Sequence, residues 1–145
     1  MKQLFYTFSM SGIIAANFIA AYLIYLSFYP IKIVDLKSPP VVQESQVRPG
    51  DHVHVQLEFN KLKDYRPDII WSLVNGEVYQ IESGRTVRQP GEHFIVRSLR
   101  IPELAYPDTY HIEVDIEYTV LPWRKINYKW VTNSFEVIND QTIEQ

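Results

Sequence analysis

His52-Val53-His54-Val55-Gln56-Leu57-Glu58-Phe59 places an apolar residue at every odd position and a polar one at every even position. A β-strand points successive side chains to opposite faces, so this period of two predicts one buried and one wetted face. The same period runs longer at residues 109–120, with Tyr110, Ile112, Val114, Ile116 and Tyr118 on one face. His111, Glu113, Asp115 and Glu117 occupy the other. Between these stretches, residues 68–74 and 77–81 flank Asn75-Gly76. That pair predicts a hairpin with a type I′ turn, whose two central residues both need positive φ.

Working outward, residues 31–37 read as a short first strand broken by Ser38-Pro39-Pro40, with 41–47 resuming as an edge strand. Arg48-Pro49-Gly50-Asp51 is a turn by composition, and 60–67 is a polar, basic loop. Residues 82–92 hold Ser83-Gly84 and Pro90-Gly91 and read mostly as turn, with a short edge strand at 86–88. Residues 94–101 are strand, with a slip of parity near Ser98 that predicts a bulge. After a turn at 121–125, residues 126–138 form a final long strand, and 139–145 are a disordered tail. The expected fold is an antiparallel β-sandwich of about seven strands over residues 30–138.

The N-terminal segment is of another kind. Residues 3–31 contain no Asp, Glu, Lys or Arg. A bilayer core of about 30 Å needs about 20 apolar residues of helix, so residues 5–29 are expected to form a transmembrane helix behind a short tail at 1–4. Tyr22, Tyr25 and Tyr29 at one end and Phe5, Tyr6 and Phe8 at the other suit the two interfaces, and Pro30 stops the helix. The apolar core is too long for a cleaved signal peptide, and the residues after it are bulky where a cleavage site needs small ones. Gly12, Ala16 and Ala20 recur every four residues beside Asn17, a pattern that suits helix–helix contact and homo-oligomers. With Lys2 balanced by Lys32 and Lys37, the brevity of the N-terminal part points the C-terminal domain away from the cytoplasm.

Two further details carry a resemblance. Trp71 lies on the third main strand, and Ile101-Pro102-Glu103-Leu104-Ala105-Tyr106-Pro107-Asp108-Thr109-Tyr110-His111-Ile112 contains a turn followed by a strand start. This stretch resembles the tyrosine corner of immunoglobulin-like and fibronectin type III domains, and the resemblance extends over residues 47–138. It implies that Trp71 packs in the core and that Tyr110 is the corner residue. The chain has no cysteine, so Val55 or Leu57 and Ile112 stand where the inter-sheet disulfide of antibody domains lies. The overall plan also looks like that of many small membrane proteins of bacteria and their phages.

Beyond the N-terminal segment, thirteen basic residues face seventeen acidic ones, which argues against general nucleic-acid binding. No nucleophile elbow, zinc-protease motif or phosphate loop is present, and neither enzyme chemistry nor a cofactor is expected. His52 and His54 share one strand face, and His111 shares another with Glu113. In the immunoglobulin-like arrangement these strands belong to opposite sheets, so no metal site is expected. The Glu113, Asp115 and Glu117 row is expected to pair across strands with Lys125 and Lys129.

The candidate contact surface lies on two loops at one end of the sandwich, carrying Lys61, Lys63, Tyr65 and Arg66, then Trp123, Arg124 and Lys125. Trp flanked by cations suits a protein partner or anionic lipid headgroups. The function expected is a non-enzymatic, single-pass membrane protein presenting an interaction or structural module. The alternative is a tethered carbohydrate- or small-ligand-binding sandwich using Trp123, Tyr65 and Tyr79.

Overall fold

The structure, a computed structural model, describes residues 2–138, with side chains in the N-terminal helix described from residue 12 onward. The expected tail at 139–145 and the girdle of Phe5, Tyr6 and Phe8 lie outside those limits. Two units divide the chain, Met1–Ile31 and Lys32–Gln145.

The first unit is helix α1, Lys2–Phe28, about 40 Å long at 1.5 Å per residue. It begins three residues before the expected start. Bulky apolar side chains are exposed around its whole circumference, Phe18 at 73%, with Ile13, Ile14, Ile19, Leu23 and Ile24 close behind. The Asn17 amide donates through Nδ2 to the Ile13 carbonyl one turn back at 2.8 Å. Among the described residues, no helix is long and apolar enough to cross a membrane. Part of the expected span, residues 5–11, has side chains outside the described set.

The second unit is an all-β sandwich of nine described strands. β1 (Val34–Val42), β3 (His52–Lys61) and β6 (Gly91–Arg100) form a three-stranded sheet in the order β1-β3-β6. The second sheet contains β2 (Gln46–Val47), β4 (Pro67–Val74), β5 (Val78–Arg85), β7 (Asp108–Leu121), β8 (Arg124–Val131) and β9 (Phe135–Val137). Its order is β2-β9-β7-β4-β5, with β8 also beside β7. All pairings are antiparallel except β2 with β9.

Alternation places the faces as expected on β3 and β7. Val53, Val55, Leu57 and Phe59 are buried from one sheet, and Tyr110, Ile112, Val114, Ile116 and Tyr118 from the other. Phe59 meets Trp130 across the interior at a ring separation of 5.8 Å, and Trp71 is buried beside them. The buried Tyr110 hydroxyl donates to the Tyr106 carbonyl at 3.0 Å, which ties the loop before β7 to the strand it precedes.

Five expectations need correction. Ser83-Gly84, expected in a turn, continue β5 to Arg85, and residues 86–88 form no strand. The Asn75-Gly76 hairpin forms, but Val74 pairs with Val78, so its loop has three residues. Only glycines take positive φ among the described residues, Gly76 at 103°, so Asn75 does not adopt the type I′ conformation. Instead, its Oδ1 accepts from the Glu77 N–H at 3.3 Å, and its Nδ2 donates to Asp108 at 3.2 Å.

The first strand runs through Pro39-Pro40, with register shifts on either side of Ser38. The final long strand divides into β8 and β9. At the break the Thr132 hydroxyl accepts from the Ile112 N–H at 2.9 Å, and Asn133 bonds both polar backbone groups of Val42, at 2.7 and 3.3 Å. These side chains stand in for ladder bonds where the chain passes from β8 to β9, and Asn133 also ties the second sheet to β1 of the first. Finally, β6 pairs with β3 in unbroken register from Gly91 to Arg100, without the bulge expected at Ser98. The apparent slip arises because Phe94 and Val96 are apolar residues on the outer face.

Candidate functional site

Local pairing brings the two predicted loops to one end of the sandwich. The 62–66 loop leaves β3 and enters β4 at Pro67, which pairs with Tyr118 near the far end of β7. Three residues beyond Tyr118, Leu121 pairs with Arg124 across the two-residue turn Pro122-Trp123. β1 starts at the same end, since Val34 pairs with Lys61 and the Leu62 N–H donates to the Ile33 carbonyl at 2.7 Å. Trp123 is 58% exposed, Lys63 and Arg66 are exposed, and Tyr65 and Arg124 are half-buried.

Two of the predicted cations have other roles. Lys61 is only 3% exposed, because the inward parity of β3 carries its stem into the sandwich. Its ammonium donates to the Arg88 carbonyl and lies 3.4 Å from Asp64, holding down the segment between β5 and β6. Lys61 therefore drops out of the contact surface. Lys125 is exposed but pairs with Glu117 at 2.6 Å, and that bond pushes its amine above the usual lysine range.

Glu113 and Glu117 of the carboxylate row are paired as their spacing predicts. Lys129 lies 2.7 Å from Glu113, and its hydrogen bond holds that carboxyl below the usual carboxylate range, against a smaller upward push from burial. His111 stands 3.6 Å from the same carboxylate. His54 belongs to the other sheet and bonds Glu44 through Nδ1 at 2.6 Å. Among the described residues no group of three potential ligands could hold a metal ion.

Tyr79 pairs with Leu73 at the opposite end of β4 from Tyr65, about 20 Å away at the rise of a strand, so the three rings of the carbohydrate reading do not converge. Its hydroxyl bonds Glu77, which pushes the phenol up to about 12. A cavity of about 40 Å³ lies between the sheets, lined by Phe59, Trp71, Ile95, Val114 and Trp130, with room for little more than a water-sized group.

Sequence reading missed two exposed apolar features. At the end remote from the β1 start, Leu104 is 87% exposed in the corner loop, near an open groove of about 670 Å³ between β5 and the end of β6. On the outer face of the three-stranded sheet, Phe94 is 65% and Val96 49% exposed. The signal for the second was the parity slip itself.

These features define an all-β sandwich with solvent-facing loops at both ends and a pair of exposed apolar residues, Phe94 and Val96, at one sheet edge. No protein-family model matches the chain, and no curated protein matches it. Among solved structures it is similar to the sporulation control protein Spo0M of Bacillus subtilis, with a TM-score of 0.50 and 16% identity. The match covers 74% of this chain and 50% of that one, so this chain spans half the length of that structure. It is also similar to part of the Pseudomonas fluorescens alkylpurine DNA glycosylase AlkC, at TM-score 0.47 and 11% identity over 81% of this chain and 33% of that one. A PapD-like domain of human CEP192 matches at TM-score 0.37 and 15% identity, over 76% of this chain and 94% of that one. At these identities the likeness is one of fold alone.

Proposed function

We propose that this chain is a single-pass membrane protein that holds a non-catalytic, immunoglobulin-like interaction module at a membrane surface, on the side away from the cytoplasm. The observation that carries the reading is α1. Bulky side chains from Ile13 to Phe28 are exposed on every side of a helix whose run from 3 to 31 has no charge. A helix that is apolar all round belongs in a buried or lipid environment. Its backbone bonds are satisfied internally, and Asn17 and Ser27 bond carbonyls of their own helix at 2.8 Å, as a span in hydrocarbon requires.

The immunoglobulin-like assignment is supported by the strand order, the buried Trp71 and the Tyr110 corner bond. Alkaline extraction of membranes tests the anchor. The full chain is expected in the pellet and a fragment spanning residues 32–145 in the supernatant; full-length protein in the supernatant overturns the anchor.

Within this reading, Trp123 and the cations near the β1 start are the contact surface for anionic headgroups. A basic residue near such a surface contributes about 1 kcal/mol. Substituting Trp123, Arg124 and Lys125 together by Ala is therefore expected to lower binding of the 32–145 fragment to phosphatidylserine vesicles by at least about tenfold. Unchanged binding would leave a protein partner as the occupant of those loops.

A further inference from the structure

β6 is a free sheet edge, and its chemistry is complementary to itself. On β3, the His54 N–H bonds Glu44 at 2.8 Å and its carbonyl accepts from Gln43 at 3.0 Å, so even-numbered β3 residues turn their backbone groups toward β1. Backbone groups alternate along a strand. Odd-numbered residues from Val53 to Phe59 therefore bond β6, through its own odd-numbered residues Leu99, Arg97, Ile95 and His93. That leaves Glu92, Phe94, Val96, Ser98 and Arg100 with N–H and C=O aimed away from β3, where no strand among the described residues is ladder-paired to β6, although Arg97 bonds Glu82 of β5. All five residues are exposed.

Two of the other edges are guarded. β1 carries Pro39, Pro40 and two register shifts, and β5 is interrupted where Ile81 adds an extra residue between the Trp71 and Ser72 pairings. Proline and bulges are common devices against strand addition. β6 is ten residues long and regular, and has neither.

We infer that β6 pairs antiparallel with β6 of a second copy of this chain, centred on Val96, joining the two three-stranded sheets into one. In this register Glu92 faces Arg100 of the second copy, Phe94 faces Ser98, and Val96 faces itself. Within one chain Glu92 already bonds Lys37 at 2.5 Å and Arg100 bonds Glu103 at 2.6 Å, so at each end of a strip of two phenylalanines and two valines the pairing extends an existing surface ion pair across the contact. The exposed edge groups are satisfied by the same pairing, and like charges never oppose one another. Antiparallel pairing turns the second copy end for end, so the two β1 starts lie at opposite ends of the joined sheet.

The chain has no native cysteine, so single cysteines report the contact cleanly. In detergent-solubilised full chain, Val96→Cys is expected to give a disulfide-linked dimer on mild oxidation. A control, Val41→Cys, exposed on the same face but on β1, should give at least about tenfold less, because a facing pair brings Cα atoms within disulfide reach. Ser98→Pro, which removes an N–H aimed away from β3 and leaves the β3 ladder intact, is expected to weaken dimerisation at least about tenfold. A full chain that stays monomeric at micromolar concentration overturns the inference, as does equal cross-linking at both cysteines, which a dimer formed by α1 alone would give. Association undiminished in Ser98→Pro overturns the edge pairing.

Discussion

Arginine introduced at both Phe18 and Leu23 will move the full chain from the membrane pellet to the supernatant on alkaline extraction. Both side chains are exposed on α1, and Phe18 lies near the middle of the uncharged run. Each arginine near the centre of a span costs about 2.5 to 3.5 kcal/mol, so the pair costs roughly 5 to 7 kcal/mol. That is enough to shift insertion by more than about a thousandfold. Phe18→Leu serves as the conservative control and should leave the protein in the pellet. Retention of the double arginine variant at the level of the parent would mean that acyl chains do not surround this helix. The helical register itself is not at stake, since arginine is a good helix former.

A comparable effect is expected at Tyr110, where stability rather than location is read. Tyr110→Ala removes a fully buried ring between the sheets and should cost about 3 to 5 kcal/mol. Tyr110→Phe keeps the ring and deletes only the hydroxyl that bonds the Tyr106 carbonyl, so about 1 kcal/mol is expected. In a domain of this size that lowers Tm by about 4 to 8 °C. The buried Trp71 supplies the fluorescence signal for both variants. A Phe variant within about 0.5 kcal/mol of the parent would show that water replaces the corner bond.

The sandwich was legible in the sequence where pattern and burial are both local. On β3 and β7, apolar residues alternate with polar ones, and side-chain direction alternates with the same period. The buried faces therefore follow from parity, and the pairing of Glu113 and Glu117 with lysines on the next strand follows from short hairpin connectivity. Tyr110 was legible for a related reason, since its partner lies four residues upstream.

Errors arose where a distant strand decides what a local pattern means. Phe94 and Val96 looked like core positions displaced by a bulge, yet the register with β3 is continuous and both point outward. Lys61 looked like a loop cation until the parity of β3 carried its stem inside and the Arg88 carbonyl supplied an acceptor. Residues 126–138 looked like one strand, and the break at Thr132 and Asn133 exists because those side chains bond Ile112 and Val42, far away in sequence.

A long uncharged N-terminal helix segment, a following all-β domain and the two faces of its main strands follow from composition and from periods of a few residues. Which cations remain at the surface, where the last strand breaks and which sheet edge stays open follow from the fold. Each of those depends on register between strands tens of residues apart. A period of two tells a side chain which face it lies on, but not what will lie against that face.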